Sequence, residues 1–306
     1  MQDKALAMGL PHWQQAFLRR HRLPEGYLPY AQQWFMPLAQ HLAEHQIGAG
    51  RPVLVALNGS QGSGKTTVCD YLRCYLQEHS GLRVLSLSLD DFYLTRAERD
   101  DLADRVHPLL ATRGVPGTHD MGLLQQTLAT LLTEVPITLE IPRFDKSVDD
   151  RVPRTDWDVV VNGVDIVLLE GWCLGACAQT DVELAVPVNA LETQEDPRAE
   201  WRHYVNQVLS REFEPLYGLV DQWVMLGAPS FDCVYRWRME QEQKLAAHSR
   251  GDAIMNASEV ARFIQFYERI TRHCLRQLPS RVHDFYQLDE ARQVTSHRHY
   301  ESPGNE

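Results

Sequence analysis

Apolar residues along the chain fall into short unbroken runs, separated by stretches in which they recur at helical spacing. Val53-Leu54-Val55-Ala56-Leu57 and Val164 to Leu169 read as strands buried on both faces, and Leu82 to Leu89 as a further β-like run. Ile137 to Ile141 and Trp223 to Leu226 are two more strand candidates. Val68, Tyr71, Leu72, Tyr75 and Leu76 predict a helix within Thr67 to Glu78; Leu123, Leu124, Leu128 and Leu131 predict another behind Asp120 as N-cap. Val234 to Glu242 reads as a charged amphipathic helix. Strands alternating with helices predict an α/β fold: a doubly wound, mostly parallel sheet covered by helices on both faces. Ahead of it, residues 1–50 read as a helical extension rich in aromatics (Trp13, Phe17, Tyr27, Tyr30, Trp34, Phe35), packing on the main domain after a Gly48-Ala49-Gly50 break. The main domain is expected at 51–288, with 289–306 a loosely ordered polar tail.

Parallel sheets of this kind gather ligands at the carboxyl ends of their strands. Directly after the first strand, residues 59–67 read Gly-Ser-Gln-Gly-Ser-Gly-Lys-Thr-Thr, a complete G-x-x-x-x-G-K-[ST] phosphate-binding loop. Gly59, Gly62 and Gly64 let the backbone curl, so that the N–H groups of the loop, with Ser60, Gln61 and Ser63, turn toward phosphate oxygens. Lys65 is placed for the β- and γ-phosphates, and Thr66 offers a hydroxyl to Mg²⁺. The helix that includes Thr67 turns its positive dipole end toward the same phosphates. The expected ligands are a nucleotide and Mg²⁺.

Two acidic segments should converge on this loop, because each also follows a strand. Asp90-Asp91 supplies a base for the proton of an attacking hydroxyl, Asp90 being favoured and Asp91 read as a metal-water or structural ligand; the assignment between the two stays open. Glu170, ending an apolar strand before Gly171, is the expected carboxylate on the metal side. Between them lies a Gly/Pro-rich loop in which Arg113, Thr118 and His119 are candidates to grip a polar acceptor, although Thr118 and Asp120 also suit the start of the next helix. Asp145, Lys146 and Arg151, in a charged segment that also holds Arg143 and Arg154, read either as an acceptor clamp or as a salt-bridged surface loop. Arg236 and Arg238 are placed either to reach the nucleotide or to pair with Glu240 and Glu242.

Composition narrows the partners. A chain of 306 residues with 44% hydrophobic content has enough apolar surface for a substantial core. Its net charge of −11 argues against a general nucleic-acid or anionic-membrane binder, while local basic clusters still suit a small anionic substrate. No stretch is long and apolar enough to be read as a membrane span, and the segment holding Asp3, Lys4 and His12 lacks a signal-peptide core. Six scattered cysteines without a C-x-x-C pair predict reduced thiols and a cytoplasmic protein. Cys173 and Cys177 lack a second ligand pair for a metal, and His41 and His45 read as surface histidines.

Taken together, GSQGSGKTT, SLDDFYLT, HPLLATRGVPGTHD, IPRFDKS, VLLEGWCLG, VNALE and YRWRMEQE, in that order over residues 53 to about 245, resemble the D-glycerate 3-kinase family of plants and fungi with its bacterial relatives. That family belongs to a wider P-loop group containing uridine kinase, phosphoribulokinase and pantothenate kinase. The resemblance implies ATP-dependent phosphorylation of a hydroxyl on a small organic acid, most simply D-glycerate, with Asp90 as the base, since the wider group takes the first Asp of its D-x-F-Y piece as such. It departs at one point: plant members follow the DKS piece with a glycine-rich G-R-G-D-R insertion, where this chain has Val148-Asp149-Asp150-Arg151. Rival expectations are another acceptor, such as a nucleoside or a pantothenate-like acid, and a regulatory module that binds ATP without turnover.

Overall fold

A computed structural model describes residues 10–135, 138–248 and 255–301. Helices α1 (His12–His21), α2 (Tyr27–Trp34) and α3 (Met36–Ala49) lead into β1 (Val53–Gly59), α4 (Lys65–Ser80), β2 (Val84–Ser88), α5 (Arg96–Arg105) and α6 (Met121–Leu131). Short strands follow: β3 (Thr138–Ile141), β4 (Phe144–Asp145), β5 (Asp150–Arg151) and β6 (Asp158–Val161), then β7 (Ile166–Gly171). Helices α7 (Asp181–Ala185), α8 (Ala190–Glu195), α9 (Glu200–Val208) and α10 (Glu214–Tyr217) precede β8 (Gln222–Gly227). Two long helices, α11 (Phe231–His248) and α12 (Ala257–Gln277), and the strands β9 (Asp284–Leu288) and β10 (Val294–His299) complete the described chain.

Six strands form one sheet in the order β10-β9-β8-β1-β7-β2. All neighbours run parallel except β10, which is antiparallel to β9. The central runs earn their position by period-two sorting of side chains. Leu54, Val167 and Leu169 enter one apolar core with residues of α6, α9 and α12. Val53, Val55, Leu57, Ile166 and Leu168 enter the other, with α4 and the N-terminal helices. Phe17, Leu28, Phe35 and Leu42 are buried in that second core, so α1–α3 cover one face of the sheet.

Three expectations change. The strand candidate at Ile137 to Ile141 does form a strand over Thr138–Ile141, but it pairs antiparallel with β6 outside the main sheet; Ile137 lies outside the described residues. Thr138 and Glu140 are exposed, a pattern unlike the fully buried β1 and β7. Part of the polar tail is edge strand β10, because main-chain pairing with β9 tolerates polar side chains where one face meets water; residues 302–306 lie outside the described residues. His41 and His45 are half-buried, and each has an Nε2 shielded from water, with the His41 ring 5.1 Å from that of His299. No helix among the described residues is long and apolar enough to cross a membrane.

Candidate active site

At the carboxyl end of β1 the chain turns through the phosphate loop into α4, and the loop is packed too tightly for side chains at Gly59 and Gly62. A Cβ on Gly59 would lie 2.6 Å from Ser63 Oγ, and one on Gly62, whose φ is 77°, would lie 2.8 Å from the Trp237 Cβ. Lys65 Nζ donates to the Ser60 carbonyl at 3.2 Å, and the Oγ atoms of Ser60 and Ser63 are buried without a partner among the described residues. Curled backbone, a cation and unpaired buried hydroxyls form a cradle suited to phosphate oxygens.

Register carries the next residue in. Leu57 of β1 lies beside Glu170 of β7, so Glu170 emerges next to the loop, 6% exposed, and accepts the Thr66 Oγ1 hydroxyl at 2.7 Å. Among the described residues no cluster of three or more His, Cys, Asp or Glu could hold a metal by itself. One carboxylate and one hydroxyl beside a phosphate cradle nevertheless fit Mg²⁺, which keeps waters and draws its remaining oxygens from nucleotide phosphates.

Asp90 completes the wall on the β2 side. Its Oδ1 accepts from Tyr93 Oη at 3.0 Å and its Oδ2 from Lys146 Nζ at 2.5 Å. Burial alone would raise its pKa, but Lys146, with help from Lys65, holds the carboxyl down at about 2. Asp91 faces elsewhere. It accepts from Arg143 Nη1 at 2.7 Å and from the Phe144 N–H at 3.4 Å, tying β4 to the core, and burial raises its pKa.

A cavity of about 340 Å³ joins these parts, lined by Gln61, Gly62, Gly64, Lys65, Thr66, Thr67, Asp90, Arg113, Lys146 and Glu170, among others. The remaining acceptor candidates stand outside its wall. Thr118 is buried within its own loop, accepting from the Gly114 N–H at 3.0 Å and donating to the Val115 carbonyl at 2.7 Å. His119 is 4% exposed and stacks on Tyr93 at 4.5 Å, and desolvation pushes its pKa down to about 4. Asp145 is exposed and accepts from Ser147. Arg151 donates to the Tyr93 carbonyl at 2.9 Å and to Asp120, which caps α6 as expected. Thr118, His119 and Arg151 therefore shape the wall from behind, because their polar atoms are spent on the loop or turned into the core. Of the two arginines on α11, Arg238 lines the cavity and pairs with Glu242, while Arg236 pairs with Glu290.

Several lining residues had no assigned role in the sequence reading: Ser88, Tyr93, Trp172, Gln241, Phe263 and Tyr267. Tyr93 and Trp172 sit inside motifs already singled out. Phe263 and Tyr267 come from α12, about 150 residues after Arg113, and helical spacing alone reads them as ordinary core. A sequence signal for Tyr267 exists at its partner: a Cβ on Gly114 would meet Tyr267 Oη at 2.3 Å, so this glycine is required by a tyrosine remote in the chain.

Comparison with known proteins agrees with this architecture. No family model matches the chain. The chain is 32% identical over 242 residues to the "Uncharacterized kinase mug58" of Schizosaccharomyces pombe, covering 76% of this chain and 85% of that protein. It is 31% identical over 259 residues to the chloroplastic D-glycerate 3-kinase of Arabidopsis thaliana, covering 81% of this chain and 54% of that enzyme's length. Among solved structures, a D-glycerate 3-kinase from Cryptococcus neoformans superposes with a TM-score of 0.68 at 26% identity, over 86% of this chain and 99% of that one.

Proposed function

This chain belongs to the D-glycerate 3-kinase family and is an ATP-dependent kinase acting on an alcohol group; from that premise we propose that its acceptor is D-glycerate, phosphorylated to 3-phosphoglycerate. The observation that carries the choice of acceptor is the placement of Lys146 and Arg113 in the cavity wall, with Lys146 bonded to Asp90. Two cations flanking a base suit a substrate that carries a carboxylate beside its reacting hydroxyl.

In this reading the hydroxyl oxygen of glycerate attacks the γ-phosphorus of ATP, the bond to the β–γ bridging oxygen breaks, and ADP leaves. Asp90 Oδ2 takes the hydroxyl proton. Its low pKa keeps it ionised and ready, and transfer of Lys146 from Asp90 to the substrate carboxylate makes it more basic as the acceptor arrives. Lys65 and the loop N–H groups hold the phosphates, while Trp172, Phe263 and Tyr267 enclose the reacting end and exclude water. Thr66 and Glu170 would hold Mg²⁺, which supplies neutralisation of phosphate charge when bound.

The aromatic wall also favours a second reading, a nucleoside acceptor whose base stacks on Phe263 or Tyr267. ADP release from the purified protein with Mg²⁺-ATP and single acceptors separates the two. Stimulation by D-glycerate, with 3-phosphoglycerate identified by ³¹P NMR, is the expected result. Turnover with uridine or pantothenate and none with glycerate would discard the proposed acceptor.

A further inference from the structure

Beside the cavity, between β4 and β5, Asp149 holds the backbone at a φ of 58°, left-handed for a non-glycine residue. Its carboxylate bridges two arginines from different elements. Oδ2 accepts from Arg99 Nη2 of α5 at 2.8 Å, and Oδ1 accepts from Arg113 Nη1 in the loop before α6. Arg99 Nη2 also donates to the Asp149 carbonyl at 3.0 Å, and both guanidiniums lie over the Phe144 ring, at 5.6 and 5.5 Å. Arg99 is fully buried, whereas Arg113 reaches the cavity. Neighbouring Asp150 turns away, accepting from the Arg96 and Arg151 N–H groups.

The charges on this wall can be summed. Arg99, Arg113 and Lys146 stand against Asp149 and Asp90, leaving one net positive charge where the acceptor acid would sit. A monocarboxylate carries one negative charge, and a phosphoryl group adds roughly 1.5 to 2 more. Without Asp149, Arg113 would face the cavity without its paired carboxylate, with the buried Arg99 cation behind it, and the more highly charged product would be held.

We propose that Asp149 is a specificity-determining residue that neutralises one of the two arginines, so that the acceptor pocket admits a monoanion and sheds its phosphorylated product. This rests on the reading that the acceptor binds beside Arg113 and Lys146. Asn and Gly both adopt left-handed backbone readily, so D149N and D149G remove the charge while leaving the turn unstrained.

The test is titration of wild-type protein, D149N and D149G, with ADP saturating the phosphate loop, against D-glycerate, 3-phosphoglycerate and inorganic phosphate. Tryptophan emission reports binding because Trp172 lines the cavity. D149N and D149G should bind 3-phosphoglycerate about fivefold or more tighter than wild type, as expected for one lost counter-charge. Their ATP KM should be unchanged and their kcat lower through slow product release. Unchanged or weaker product binding in both neutral variants overturns the proposal. If wild type binds neither acid, the glycerate reading fails on its own and inorganic phosphate decides the charge proposal: tighter binding by D149N supports it, and equal binding overturns it.

Discussion

Asp90 and Asp91 are adjacent in the chain and opposite in environment. Lys146 holds the Asp90 carboxyl at about 2 on the cavity wall, whereas Asp91 is raised by burial and tied to Arg143. If Asp90 is the base, D90N should lower kcat by roughly 10²–10⁴ with the ATP KM unchanged. D91N should act mainly on the hairpin, lowering the thermal midpoint and changing kcat much less; the reverse pattern in steady-state kinetics would exchange the roles. Lys65→Ala should abolish turnover while far-UV circular dichroism stays native, since among the described residues Lys65 Nζ bonds to the loop carbonyl of Ser60 alone. His119 makes a different prediction. Desolvation lowers its pKa to about 4, so the folded state keeps the ring neutral while the unfolded chain takes up a proton from about pH 6.5 downward. Its effect is absent above pH 6.5 and destabilises progressively as pH falls toward 4, by roughly 3 kcal/mol at most. Urea unfolding of His119→Gln from pH 7 to 4 should show a shallower loss than wild type; an identical slope would remove His119 as the cause.

The elements read from sequence were those whose local pattern and tertiary role coincide. Val53–Leu57 and the Ile166–Leu169 part of the expected Val164–Leu169 strand are apolar because both faces are buried, so their apolar runs point to strands, although β7 begins two residues later than expected, after Asp165; the phosphate loop between strand and helix carries its own glycine code. Placement of β3 was not legible, because pairing with β6 outside the sheet leaves only a short run with exposed Thr138 and Glu140. Nor was β10, where main-chain pairing with β9 makes a strand of Val-Thr-Ser-His-Arg-His. Thr118 and His119 look polar and available in sequence, yet the loop folds them inward. The N-terminal helices were legible through their aromatics, and their contribution is measurable. Phe17 is fully buried, its ring 5.7 Å from that of Tyr71 on α4, the helix that follows the phosphate loop. Phe17→Ala should therefore cost about 3–5 kcal/mol in urea unfolding. A loss below 1 kcal/mol would mean that α1 contributes little to the core under the loop.

At the scale of the whole molecule, the site exists only because separate layers meet at one end of the sheet. Parallel pairing of β1 with β7 sets Glu170 beside Thr66, α12 contributes Phe263 and Tyr267, and the hairpin of β4 and β5 brings Lys146 to Asp90. Nucleotide binding should consequently stabilise the fold as a unit, since a ligand held only by the native state adds RT ln(1 + [L]/Kd), about 2.7 kcal/mol at a hundredfold excess over Kd. Mg²⁺-ATP should raise the unfolding midpoint of wild type and of D90N equally, because Asp90 is assigned to the acceptor step. Lys65→Ala should show little or no shift at the same nucleotide concentration. The comparison separates binding from chemistry: a D90N protein that gains no stability from ATP would place Asp90 among the groups that hold the nucleotide, and the proton acceptor would then have to be sought elsewhere on the cavity wall.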